Sequence, residues 1–150
     1  MSTTIYSRPM GSASFEAILD ERLFTPRHVA AASLLGGPLA GFVLIAVNFT
    51  RLADAAAAKG SAMAGLVLTA LLWLTVYSDP LHLTWHTALA GPVITAVFLW
   101  LTANTLQGPD LKAHAIAGGE TASTWTALEL GLLAVAAQVL VLMGVAVLVG

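Results

Sequence analysis

The chain has 150 residues, 58% of them hydrophobic and 9% charged, against roughly 25% charged residues in soluble domains. A net charge of −2 supplies no basic surface for nucleic acid. The lack of any cysteine excludes disulfides, iron–sulfur clusters and thiolate metal sites.

Residues 1–13 are polar, contain Gly and Pro, and read as a disordered tail. Phe15, Ile18, Leu19 and Leu23 then fall at helical spacing between Glu16, Asp20, Glu21 and Arg22. That pattern predicts a short amphipathic helix over about 14–24, on the membrane surface or against the bundle. The first apolar run, about 29–49, exceeds the ~7–15 residues of a signal-peptide core. Thr25-Pro26 opens it as a capping Thr with Pro at the first helical position.

Four apolar runs approach the ~20 residues needed to cross a ~30 Å hydrocarbon core. They predict spans over about 26–49, 59–77, 80–106 and 126–149, the second borrowing from the alanines at 55–58. Asp79-Pro80 repeats the capped start. Thr126 and Glu129 have capping-box spacing, which accounts for Glu129 more cheaply than a proton-coupling role. Asn48 and Asn104 read as helix stop signals. Trp73, Tyr77 and Trp85 suit an interfacial aromatic belt. A loop over 107–125 is expected to break at Gly118-Gly119. The fold class expected is an all-α integral membrane protein: a tail over 1–24 and a four-helix transmembrane domain over 25–150.

An internal repeat underlies this reading. Offset by 54 residues, TPRHVAAASLLGGPLAGFV lies over DPLHLTWHTALAGPVITAV, matching Pro26/Pro80, His28/His82, Gly37/Gly91 and Pro38/Pro92. Two duplicated hairpins are expected. Each copy places small residues four apart, Ser33, Gly37 and Gly41 in one and Thr87, Gly91 and Thr95 in the other. Such spacing lets another backbone approach. Pro38 and Pro92 should kink both helices at matching depth, freeing the carbonyls of Leu34 and Ala88. Gln138 falls near the bilayer centre, where its amide can occupy a freed carbonyl.

Topology is undecided by charge. With up-and-down spans Arg8, Arg22 and Arg27 oppose Arg51, Lys59 and Lys112, a tie under the positive-inside rule. If the first run turns back at Gly36-Gly37-Pro38, all of these cations share one side; the length rule favours full spans.

Asp79, His82 and His86, joined by His28, offer a weak set for zinc, copper or haem. Nothing resembles a Ser/His/Asp set, a phosphate loop or paired carboxylates, so neither an enzyme nor a cofactor is expected.

Residues 22–52, RLFTPRHVAAASLLGGPLAGFVLIAVNFTRL, resemble an uncharacterised family of small bacterial polytopic membrane proteins. The shared pattern is an aromatic–Ser/Thr–Pro start, a Leu-Gly-Gly-Pro-Leu-Ala-Gly core and an Asn-aromatic-x-x-Leu exit. The resemblance covers about a fifth of the chain and implies a multi-pass protein of the bacterial inner membrane, with no activity attached. Family members often have a more basic loop after the exit, which residues 53–58 dilute here.

The function expected first is non-catalytic, a packing or accessory subunit acting on a membrane-protein partner or a second copy within the lipid bilayer. The alternative is a small oligomeric transporter or channel with a midplane site near Pro38, Pro92 and Gln138. The third is a metal or haem protein.

Overall fold

The computed structural model describes residues 19–78 and 85–149. Four helices account for most of them: α1 (Pro26–Arg51), α2 (Ala55–Ser78), α3 (Trp85–Ile116) and α4 (Thr124–Val149). No strand occurs among the described residues, where Leu23 and Thr121 form one isolated bridge. Helices α1, α2 and α4 are long and apolar enough to cross a membrane, consistent with an integral membrane protein. Helix α3 begins apolar and ends with Gln107, Asp110, Lys112 and His114; a fourth span is not established.

Helix α1 starts as its sequence predicts. The Thr25 hydroxyl accepts from the His28 N–H, and the His28 ring accepts from the Thr25 N–H. Imidazole thus fills the place that Glu or Gln takes in a capping box.

Beyond that start, α1 is not one rod. Asn48, near its end, hydrogen-bonds the backbone of Phe24, which precedes its beginning. Twenty-four residues of straight helix would separate them by about 36 Å, so α1 must fold back. It does so at Gly37, whose φ of 63° and ψ of −155° lie in a region essentially confined to glycine. Pro38 opens the second half, where its missing N–H leaves nothing unpaired. Other contacts close the same loop: the Arg51 guanidinium lies 5.2 Å from the Phe24 ring centroid, donates to the Arg22 carbonyl, and pairs with Glu21 at 3.4 Å. The straight span expected over 26–49 is therefore corrected. Residues 26–36 and 38–51 form a helical hairpin whose arms, roughly 16 and 21 Å long at 1.5 Å per residue, each fall short of a ~30 Å core.

This hairpin is the centre of the molecule. Helices α2, α3 and α4 each pack against α1, which is mostly buried, while α2 and α4 turn most of their surface outward. Small residues permit the contacts. A Cβ on Gly41 would stand 2.2 Å from the Ser33 hydroxyl oxygen and 2.6 Å from Leu99. A Cβ on Gly36 would stand 2.7 Å from the Gly131 carbonyl. Gly65 receives Phe42 in the same way. Ser33 and Gly41 thus lie in close approach, as does Gly36, whereas a Cβ on Gly37 would meet nothing within 4 Å.

Contacts fix the directions. Helix α4 runs alongside the first arm, with Thr124 at His28 and Gln138 at Gly36. Helix α3 follows the second arm, with Leu99 at Gly41 and Gln107 at Asn48. Helix α2 leaves that arm and returns along it. One end of the bundle therefore gathers both ends of α1, the start of α2, the end of α3 and the start of α4.

Several boundaries differ from those read in the sequence. The connection between the first two expected spans is only a turn, since Asp54 caps α2 by accepting from the Ala57 N–H at 3.0 Å. Residues 107–116 are helical, so α3 runs on past the end expected at 106 and stops only before Gly118, at φ 89°, with the Gly119 N–H on the His114 carbonyl. Helix α4 starts before Thr126, with the Ser123 hydroxyl accepting from the Trp125 N–H, so no Thr126–Glu129 box forms. Asn104 stops nothing; it lies exposed within α3. The expected 14–24 amphipathic helix falls partly outside the described residues, and its end is extended: Leu23 pairs with the loop before α4 through Glu120 and Ala122.

The repeat is not reproduced. Gly37 carries a positive φ and Gly91 does not, so α3 continues through Pro92 as one helix. Identical Gly-Pro pairs reverse the chain in α1 and leave it helical in α3. Duplicated hairpins are not established.

Candidate functional site

Two amide clusters hold the hairpin, a buried one at its base and a half-buried one at its tip. At the base Asn48 is fully buried. Its Oδ1 accepts from the Phe24 N–H at 2.8 Å, and its Nδ2 donates to the Phe24 carbonyl at 2.7 Å and to Gln107 Oε1 at 3.0 Å. Gln107 Nε2 in turn donates to the Ile45 carbonyl at 2.8 Å. These bonds join the segment before α1, the end of α1 and α3. The sequence had suggested only a stop signal for Asn48 and a loop for Gln107.

At the tip, Gln138 Nε2 donates to the Gly36 carbonyl at 2.9 Å and to the Ala134 carbonyl at 3.1 Å. Its Oε1 accepts from the Trp73 indole at 3.3 Å. Helix interruption frees carbonyls that need partners in lipid; Gln138 takes Gly36, two residues beyond the Leu34 carbonyl expected. Gln138→Leu would remove the donor that the Gly36 carbonyl uses. Thermal unfolding of the purified variant should show a loss of about 1–3 kcal/mol. Unchanged stability would mean that Gln138 does not hold the tip.

A cavity of about 500 Å³ adjoins this bond, walled by Gly37, Trp73, Pro92, Thr95 and Gln138 among others. It unites the tip with the Gly91–Pro92 segment of α3. Most of its remaining wall is aliphatic, from Leu34, Leu35, Leu72 and Val139, with Ser33 also reaching it. Pro38 faces a separate apolar groove with Ile94 and Phe98. Of the residues expected around a midplane site, Pro92 and Gln138 share a cavity, and Pro38 stands outside it.

Among the metal candidates, His28 is committed to its cap and its Nε2 lies 3.1 Å from the Thr124 hydroxyl. Asp79 and His82 lie outside the described residues, as do the side chains of His86 and Thr87. Among the described residues no three potential metal ligands cluster.

The sequence also missed a polar layer beyond the hairpin base. Asp110 and His114 are buried in α3, with Gly119 pressed on the imidazole. The spacing of Gln107, Asp110, Leu111 and His114 was the available signal, since it marks one helix face.

Comparison with family models, with curated proteins and with solved structures found no match to this chain.

Proposed function

We propose that this chain is a non-catalytic subunit of a membrane complex, in which α2, α3 and α4 cross the bilayer around a re-entrant α1. The observation carrying this reading is the way polar groups are used at the hairpin tip. Gln138 joins the Gly36 carbonyl to the Trp73 indole, and the cavity beside them has no charged side chain in its wall. The Gly36 carbonyl at the tip is satisfied within the protein, as irregular backbone at membrane depth requires. Outward the helices offer apolar faces, including Leu132, Leu140, Val141 and Met143 of α4, to lipid, a partner or a second copy.

The charge distribution supports the placement. With α1 folded back, Arg22, Arg27, Arg51, Lys59 and Lys112 all belong to the end that holds the hairpin base. The positive-inside rule orients that end to the cytoplasm, and the bacterial inner membrane is the location the sequence resemblance implies.

Placement and role are tested together. The chain has no cysteine, so single cysteines can be introduced at Asp20, Ala56, Ala117 and Leu148 without background. The first three should react with an impermeant thiol reagent from one side and Leu148→Cys from the other. Reaction of Asp20→Cys and Ala56→Cys from opposite sides would mean that α1 spans. Mild-detergent purification after cross-linking should yield a defined complex or homo-oligomer, and proteoliposomes should show no flux.

A second reading, a small oligomeric transporter or channel, is favoured by the cavity that Pro92 and Gln138 share. Solute flux abolished by Gln138→Leu would establish it and overturn the first.

A further inference from the structure

A second depression lies at the cationic end, between the beginnings of α1 and α4 and the middle of α3, with a volume of about 760 Å³. Arg27, His28, Asn104 and Thr124 give it polar walls, while Ala31 and Trp100 give it apolar ones. Hydrogen bonding between His28 and Thr124 at 3.1 Å ties α1 to α4 along its rim.

Arg27 differs from the other described arginines. Arg22 pairs with Glu120 at 2.9 Å and Arg51 with Glu21 at 3.4 Å. Arg27 is exposed and has no hydrogen bond or ion pair among the described residues. A guanidinium of this kind presents a planar fork of donors suited to two phosphate oxygens. Trp100 lines the same depression and Trp125 follows Thr124 at its rim; both indoles are exposed, and Trp is enriched where hydrocarbon meets headgroups.

We propose that this groove binds the headgroup of an anionic phospholipid. The phosphate sits on the Arg27 guanidinium, with the Thr124 hydroxyl and the Asn104 amide as further donors. The acyl chains leave past Ala31 and Trp100. The apolar wall favours a lipid over a free anion, which would gain nothing from it. The site rests on the bilayer placement proposed above.

Native mass spectrometry of the full chain tests it, after incubation in detergent with equal amounts of phosphatidylglycerol and phosphatidylcholine. The wild type should retain phosphatidylglycerol preferentially. Arg27→Gln should reduce that preference about fivefold, the weight of one cation near an anionic leaflet. Asn104→Leu should shift it in the same direction, whereas Arg22→Gln, at the same end but already paired, should leave it unchanged. Three outcomes would overturn the proposal: unchanged preference in both groove variants, an equal loss in Arg22→Gln, or displacement of the lipid by inorganic phosphate at equal concentration. An error in the bilayer placement would appear in the cysteine labels, while a failed site alters only the lipid count.

Discussion

Replacing Asn48 by Leu should destabilise the protein by about 2–5 kcal/mol, the largest effect expected of any single side chain. Leu keeps the branched four-atom skeleton and is the bulkier of the two, so the change removes hydrogen bonds without opening a void. The Phe24 N–H, the Phe24 carbonyl and Gln107 Oε1 would be left buried without their partner. Each orphaned group costs roughly 1–3 kcal/mol, although hydrogen bonds between membrane helices average only ~0.6 kcal/mol. The range reflects that spread, with the burial of Asn48 favouring its upper part. Gln107→Leu should cost less, about 1–3 kcal/mol, because it strands only the Ile45 carbonyl and one donor of Asn48. As the two amides share a bond, the double variant should lose less than the sum, with coupling on the order of 1 kcal/mol. Denaturant unfolding of the four proteins in one detergent measures all of this. Strict additivity would show that the amides do not act as one clamp.

Gly37→Ala and Gly91→Ala should have opposite effects, although the residues correspond in the two aligned segments. Neither glycine has an atom within 4 Å of the Cβ that would be added, so crowding contributes nothing. What remains is the backbone. At Gly37 the conformation, φ 63° and ψ −155°, excludes other residues at a cost of about 1–3 kcal/mol. At Gly91 the chain is helical without positive φ, and alanine should stabilise by roughly 0.5–1 kcal/mol. Thermal melts of the two variants provide the comparison. Equal effects would mean that the chain passes both sites in one conformation, as two straight helices would.

That contrast also marks how far the sequence was legible. Long apolar runs and the Thr25-Pro26 start follow from local chemistry, and the structure keeps them. The reversal at Gly37 does not follow, because Gly-Gly-Pro is compatible with a kinked span and with a turn. Choosing between them depends on Asn48 meeting Phe24 and on Gln138 meeting Gly36, contacts 24 and 102 residues apart in sequence. The length rule favoured a span because it counts apolar residues without regard to direction. Polar residues misled in a second way. Gln107, Asp110 and His114 looked like a loop, yet they are buried by neighbours that cover the hairpin base. Of the candidate site, Gln138 was legible from its depth and Pro92 from the Gly-Pro interruption. The aliphatic part of the cavity wall was not, since Leu34, Leu35, Leu72 and Val139 carry no distinguishing signal.

The clamp at the base sets an order of events during synthesis. A ribosome delivers residues 26–51 as one apolar stretch, which an insertion channel would accept as a span. The Phe24–Asn48 bonds can form as soon as that stretch emerges. Gln107, which completes the lock, follows Asn48 by 59 residues, and Gln138 trails Gly36 by 102. At ~5–20 residues per second the hairpin base waits roughly 3–12 s for its final amide, and the tip longer. Through that interval the reversed helix must be held by its own few bonds or shielded by the insertion machinery. Truncation ahead of Gln107 would therefore yield a chain whose first helix is free to straighten and cross.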